Sequence, residues 1–237
     1  MSESGTPRGE RIEAPLAEEH EVRPLFERHQ VPEPVFLEAL DAVSDALKGG
    51  EVPFVFIGGV ASAVLGRPRW SDDIDIFIQA QDARRCLDLL EEGGFETQET
   101  YPDWLYKAIR NSVLVDVIFK SSGDIYLDEE MLARAGEGDF RGRSVRIASP
   151  EDLVVMKAIA HSEPTPRYWH DALSILAHAT LDWEYLLRRA RHGPRRILSL
   201  LIYAQSNDLI VPATAIDSLY RSIFDTDPAK GAHHGPK

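Results

Sequence analysis

Three aspartates and a pair of glycines stand out by type and spacing. Asp73 and Asp75 are separated by one residue in Asp73-Ile-Asp75-Ile-Phe-Ile78. On a strand they point to one face while Ile74 and Ile76 point to the other. Two carboxylates held side by side repel each other unless a cation lies between them. All-oxygen ligands of this kind suit Mg2+ or Mn2+, above all when substrate phosphates complete the shell. A third acid, Asp116, interrupts the apolar run Val113-Leu-Val-Asp116-Val-Ile-Phe119, where an ionised carboxylate is costly to bury without a partner. A metal shared with Asp73 and Asp75 would be that partner. Upstream, Phe54-Val-Phe-Ile runs straight into Gly58-Gly59. A backbone without Cβ atoms can approach a ligand closely, and a helix starting there offers free N–H groups and its positive dipole end to phosphate. Together these residues could handle the phosphates of a nucleotide around a divalent cation.

Among the elements that carry these residues, 54–57 and 74–78 read as strands, and the stretch from the glycines to residue 65 as a short helix. Strands at 104–110 and 113–119 are paired through a turn at Asn111-Ser112, and a further strand is expected at 144–147. Helices are expected at 33–47, where Val35, Phe36, Leu40, Val43 and Leu47 recur at threes and fours, and at 81–92 and 124–135. From Ser149-Pro150-Glu151-Asp152, a helix start with proline in the first turn, the spacing predicts helices at 150–162, 168–179, 182–192 and 194–206. The expected fold is α+β: a mixed sheet flanked by helices over 31–148, then a helical C-terminal part over 149–224. Segments 1–30, with a short helical piece around 17–30, and 225–237 are expected to be flexible tails.

The totals fit this plan. The 237 residues are 43% hydrophobic and 27% charged, enough for one sizeable core or a core with a helical appendage. A formal net charge of -13 argues against broad coating of nucleic acid, though not against a local basic patch. The single cysteine, Cys86, can form neither an internal disulfide nor a thiolate zinc site. With no transmembrane-length apolar run and an acidic, polar N-terminus, a cytoplasmic protein without membrane contact is expected.

The combination of Gly58-Gly59, Asp73-x-Asp75 and the later Asp116 resembles the nucleotidyltransferase superfamily of the DNA polymerase beta type. Arg69-x-Ser71-x-Asp73-Ile-Asp75 is similar to that family's Arg-x-Thr-x-Asp-x-Asp. Val60 stands where the family has Gly or Ser, which leaves Ser62 as the candidate hydroxyl for phosphate. Lys157 in Met156-Lys157-Ala-Ile-Ala-His161, followed by Asp171 in Tyr168-Trp-His-Asp171, resembles the downstream motifs of AbiEii/MenT-like nucleotidyltransferases, which include toxins of toxin–antitoxin pairs. The resemblance implies transfer of a nucleoside monophosphate from an NTP, with two Mg2+ or Mn2+ ions on Asp73, Asp75 and Asp116. Asp116 would be base or co-ligand. Gly58, Gly59, Ser62, Arg69, Ser71 and Lys157 would lie around the nucleotide, with Asp171 ordering that side. The acceptor implied is tRNA or other RNA, or a protein, with an antitoxin as partner in the toxin version. A small molecule of the aminoglycoside type is the alternative, and a catalytically weak binding module of the same fold is a third.

Plainer readings stand beside these. Gly58-Gly59 alone is an ordinary strand-to-helix turn. Asp73 and Asp75 alone could be a solvated strand face. Lys157 could be a surface helix residue, and Asp171 could face water or pair with Lys157. His161 and His170 read as ordinary helix residues. Arg188, Arg189, Arg191, Arg195 and Arg196 read first as a solvated helix face and second as a contact for an RNA backbone. Trp104 and Tyr106 read as core or sheet-surface residues rather than a base-stacking platform.

Overall fold

A computed structural model describes residues 31–162 and 164–225. The expected tails, 1–30 and nearly all of 225–237, lie outside the described residues. The chain opens with α1 (Glu33–Gly49), which turns Phe36, Leu40, Val43 and Leu47 into the core and ends at Gly50. Then follow β1 (Phe54–Phe56), α2 (Gly58–Leu65), β2 (Asp73–Ile78), a 3-10 turn (Ala80–Asp82) and α3 (Ala83–Glu92). Next come β3 (Glu96–Tyr101), β4 (Leu105–Arg110), β5 (Val113–Ile118), α4 (Glu129–Arg134), β6 (Gly136–Phe140) and β7 (Arg143–Ile147). The remainder is helical: α5 (Pro150–Ala160), α6 (Arg167–His178), α7 (Trp183–Arg189), α8 (Pro194–Ser206) and α9 (Ala213–Phe224).

Among the described residues the strands form one mixed sheet in the order β3-β4-β5-β2-β1-β7-β6. The β2–β5 and β1–β7 neighbours are parallel and the others antiparallel. This is the expected α+β class with a mixed sheet and a helical C-terminal run. Alternation along β5 buries Val113, Val115 and Val117 on one face and leaves Leu114, Asp116 and Ile118 half-buried on the other. Likewise β2 buries Ile74 and Ile76 and leaves Asp73 and Asp75 half-buried. The period-2 rule thus sets all three aspartates on one side of adjacent strands.

Several elements depart from the sequence expectation. The helix expected over 124–135 is reduced to α4. Ser121 and Ile125 exchange backbone hydrogen bonds (2.8 and 3.2 Å), Asp124 takes a positive φ of 54°, and Asp128 caps α4 by accepting from the Met131 amide at 2.9 Å. Both edge strands, β3 and β6, carry polar residues on both faces, and β6 contains glycines, so neither shows a readable alternation. Gly138 has a packing reason, because a Cβ there would fall 2.4 Å from a Val64 methyl. The 81–92 helix begins as the 3-10 turn, and α9 lies beyond the helices that the spacing predicts.

The helical part is tied to the core by a buried polar network. Ser149 donates to Asp152 (2.8 Å) and accepts from its amide, capping α5. The Tyr185 hydroxyl of α7 also donates to Asp152 (2.8 Å), and Arg189 pairs with Asp152 (2.9 Å) and with Asp128 (2.6 Å). Among the described residues no helix is long and apolar enough to cross a membrane.

Candidate active site

The site is assembled where β1 ends and α2 begins. Gly58 has φ +55°, and a Cβ on it would lie 1.7 Å from Asp75 Oδ2. A Cβ on Gly59 would lie 1.9 Å from Ser71 Oγ. The glycines are therefore required by the aspartate strand itself, and the left-handed φ at Gly58 adds a second reason. The Gly59 amide donates to the Asp75 carboxylate. Ser71, itself buried, places its Oγ 3.0 Å from the Asp73 carbonyl and 3.3 Å from the Asp73 carboxylate, acting as donor. Ser71 thus orients the first aspartate of the pair.

Parallel pairing sets Asp75 directly opposite Asp116. One carboxylate oxygen from each of Asp73, Asp75 and Asp116 lies within 4.8 Å of the others. Burial pushes the Asp75 carboxyl up to about 7, with the charges of Asp73 and Asp116 adding to the effect. Lys157 and the Gly59 amide offset this only in part, and a hard divalent cation among three carboxylate oxygens would supply the remaining counter-charge. The three residues fit such an ion. Asp116 Oδ1 accepts from Lys107 Nζ at 2.7 Å, its cross-strand partner.

On the other side of the glycine bend the charges are positive. Lys157 is 5% exposed and donates to Asp171 at 2.8 Å. Arg69 grips the same carboxylate with two donors, at 3.0 and 2.8 Å. Burial pulls the Lys157 ammonium below its usual range, against the opposing effect of Asp171. Although burial opposes its ionisation, Asp171 is held below the usual carboxylate range by Arg69 and Lys157. Asp171 is a bridge between two cations and does not itself line the cleft.

The cleft has a volume of about 740 Å3, within the range of small-molecule sites. Gly58, Gly59, Arg69, Ser71, Asp73, Asp75, Asp116 and Lys157 all line it. Ser62 does not. Its hydroxyl donates to the Gly58 carbonyl one helical turn back, inside α2, and is buried there. The hydroxyl proposed for phosphate is thus turned away from it. Residues outside the expected site also line the cleft: Asp103, Lys120, Asp124, Arg167 and Tyr168, together with Trp104. Trp104 is not a core residue, whereas Tyr106 packs edge-on against Phe119. Lys107 was legible in principle, because a two-residue turn at Asn111-Ser112 fixes it opposite Asp116. Tyr168 and Arg167 carry no such signal, since only the packing of α6 on α5 brings them near.

The arginine cluster is divided. Arg189 is 2% exposed and serves the network around Asp152, and Arg188 pairs with Glu130 and Glu184. Arg191, Arg195 and Arg196 remain exposed. His161 ends α5 and packs on Trp169, and His170 is exposed on α6.

Among curated proteins none matches the chain in sequence. Among solved structures the chain is similar to the antibiotic-resistance factor ANT(2'')-Ia, with 19% identity and a TM-score of 0.44 over 86% of this chain and 98% of that one. It is similar to the lincosamide antibiotic adenylyltransferase LnuA, with 17% identity and a TM-score of 0.45 over 62% and 99%. A tRNA nucleotidyltransferase in complex with a primer tRNA and an ATP analog gives 13% identity and a TM-score of 0.32 over 77% and 68%. Likenesses this distant carry no argument about the acceptor. A family model, in contrast, matches residues 36–184, spanning β1 to β7, all three aspartates, Lys157 and Asp171. The chain belongs to that family, described as nucleotidyl transferase of unknown function (DUF2204).

Proposed function

We propose that this enzyme transfers a nucleoside monophosphate from an NTP to the hydroxyl of an acceptor, with divalent metal ions held by Asp73, Asp75 and Asp116. The observation that carries the reading is the meeting of three carboxylate oxygens within 4.8 Å beside two cations, Arg69 and Lys157, in one cleft. With Mg2+ or Mn2+ bound there, the site gains charge neutralisation on the phosphate oxygens and a lowered pKa for the acceptor hydroxyl.

The chain's own residues supply the rest. Lys157 and Arg69 hold the triphosphate, and Asp171 keeps both cations in place through its hydrogen bonds. The glycine bend lets the backbone pass close to the phosphates without a side chain between. Ser71 and the Gly59 amide orient Asp73 and Asp75. Asp116 takes the acceptor proton as the acceptor oxygen bonds to the α-phosphorus. The bond from that phosphorus to the bridging oxygen breaks, and pyrophosphate leaves. The rate gain comes mainly from positioning and charge complementarity.

The test is incubation with each α-labelled NTP, Mg2+ or Mn2+, and separately total tRNA, cell protein, or small hydroxyl compounds. Covalent label in one fraction, lost in Asp75→Ala, is the expected result. Label in tRNA or protein would support the toxin-like version, and an antitoxin partner would then be sought. NTP binding without transfer to any fraction would make the chain a binding module. Absence of both binding and transfer would overturn the reading.

A further inference from the structure

We propose that the end of the cleft away from the glycine bend is the acceptor subsite, and that it takes a small cationic molecule carrying a hydroxyl and a flat or apolar face. The inference rests on the nucleotidyl-transfer reading and adds the chemical class of the acceptor.

The parallel pairing of β2 and β5 gives the cleft an axis. Gly58, Gly59 and Ser71 gather at the start of β2, together with Arg69 and its partner pair Asp171–Lys157. At the far end of β5 the Phe119 amide donates to the Trp104 carbonyl at 3.1 Å. Trp104 thus sits beyond Asp116 along the strand direction. Tyr101 stacks on its indole, with ring centroids 5.3 Å apart and planes within 15°. Trp104 is 41% and Tyr101 43% exposed, and the indole lines the cleft. A stacked indole in water offers a large rigid face that loses little rotamer freedom on binding.

The charges at this end select the ligand. Asp103, beside Trp104 on the cleft, makes no ion pair among the described residues. The cation at this end, Lys120, is taken up by Asp124 at 2.7 Å. Further in stand the three aspartates, with Lys107 bonded to Asp116. A cation over the indole face, close to a carboxylate, is favoured on both counts. A polyanion such as RNA would meet Asp103 on a chain of net charge -13. The wall is preformed: Ser121 and Ile125 pair through their backbones, and His192 Nδ1 lies 2.9 Å from the Gly123 carbonyl.

The probes are 2-deoxystreptamine and phenylethanolamine, both amine-bearing alcohols with a ring, their N-acetylated forms, and total tRNA. Each is supplied with Mg2+ and α-labelled NTPs. Label is expected on at least one free amine, about tenfold above its acetylated form. Trp104→Ala should raise KM for that amine about tenfold and leave KM for the NTP within about twofold, with Trp104→Phe recovering most of the loss. Asp103→Asn should raise KM for the amine while leaving the acetylated form unaffected. Label on tRNA, or label on the acetylated forms equal to that on the free amines, overturns the proposal. So does a Trp104→Ala effect on NTP binding instead, or the absence of label on both amines. If the protein also fails to bind Mg–NTP by thermal shift, the transfer reading itself falls; if it binds, only the acceptor assignment does.

Discussion

Asp75 is the residue at which the site's electrostatics are sharpest. Its carboxyl is raised to about 7 from an ordinary value of 3.8, so the folded metal-free protein holds that proton more tightly than the unfolded chain. The stability that this provides is fully present below about pH 4 and is lost as pH rises through about 7. The melting temperature of the metal-free protein is therefore expected to fall between pH 5 and pH 8, and Mg2+ or Mn2+ should restore it more at pH 8 than at pH 5. Asp75→Asn should abolish transfer yet melt a few degrees higher than the parent at pH 8 and not at pH 4; scanning calorimetry at the two values checks the sign. Lys157 presents the converse case, a buried ammonium placed for an anion. Removing a charged hydrogen-bond donor costs roughly 1.5–3 kcal/mol, so Lys157→Met should weaken Mg–NTP binding about tenfold or more by titration calorimetry.

The strand–bend–strand unit of β1, α2 and β2 carries its own prediction. A methyl on Gly58 would collide with the Asp75 carboxylate and would require a side chain at φ +55°. A strained backbone of this kind costs roughly 1–3 kcal/mol. Gly58→Ala should therefore lower stability in urea by about that amount and also remove transfer, because Asp75 must shift. Gly49, whose Cβ would meet nothing within 4 Å, is the control, and Gly49→Ala should leave both properties almost unchanged. The β4–β5 hairpin shows how far element reasoning reaches. Asn111 and Ser112 both have positive φ, 50° and 64°, as a tight hairpin turn demands. That register alone sets Lys107 against Asp116.

For the whole molecule, the C-terminal helices shape the site rather than append to it: α5 brings Lys157, α6 brings Asp171 and Tyr168, and the turn after α7 brings His192 against the cleft loop. What fixes α7 to the core is Arg189 with Asp152, Asp128 and Tyr185. Removing one partner of a buried pair leaves an uncompensated charge and costs roughly 3–5 kcal/mol. Arg189→Ala should accordingly lower stability by about that much in urea unfolding, while Arg195→Ala, on the exposed part of the same basic cluster, should change stability by less than about 0.5 kcal/mol.

From the sequence alone came the strands bearing Asp73, Asp75 and Asp116, the bend at Gly58-Gly59 and the helical run after Ser149, because alternation, glycine and capping are local properties of the chain. The edge strands β3 and β6 stayed hidden because they alternate nothing apolar. Tertiary structure decided the rest: that Ser62 turns inward, that Arg189 is interior, that Asp171 holds Arg69 as well as Lys157, 102 residues from the arginine, and that Trp104 faces the cleft. Each depends on which elements pack together, and side-chain burial and partners are set by those long-range contacts, which no window of neighbouring residues encodes.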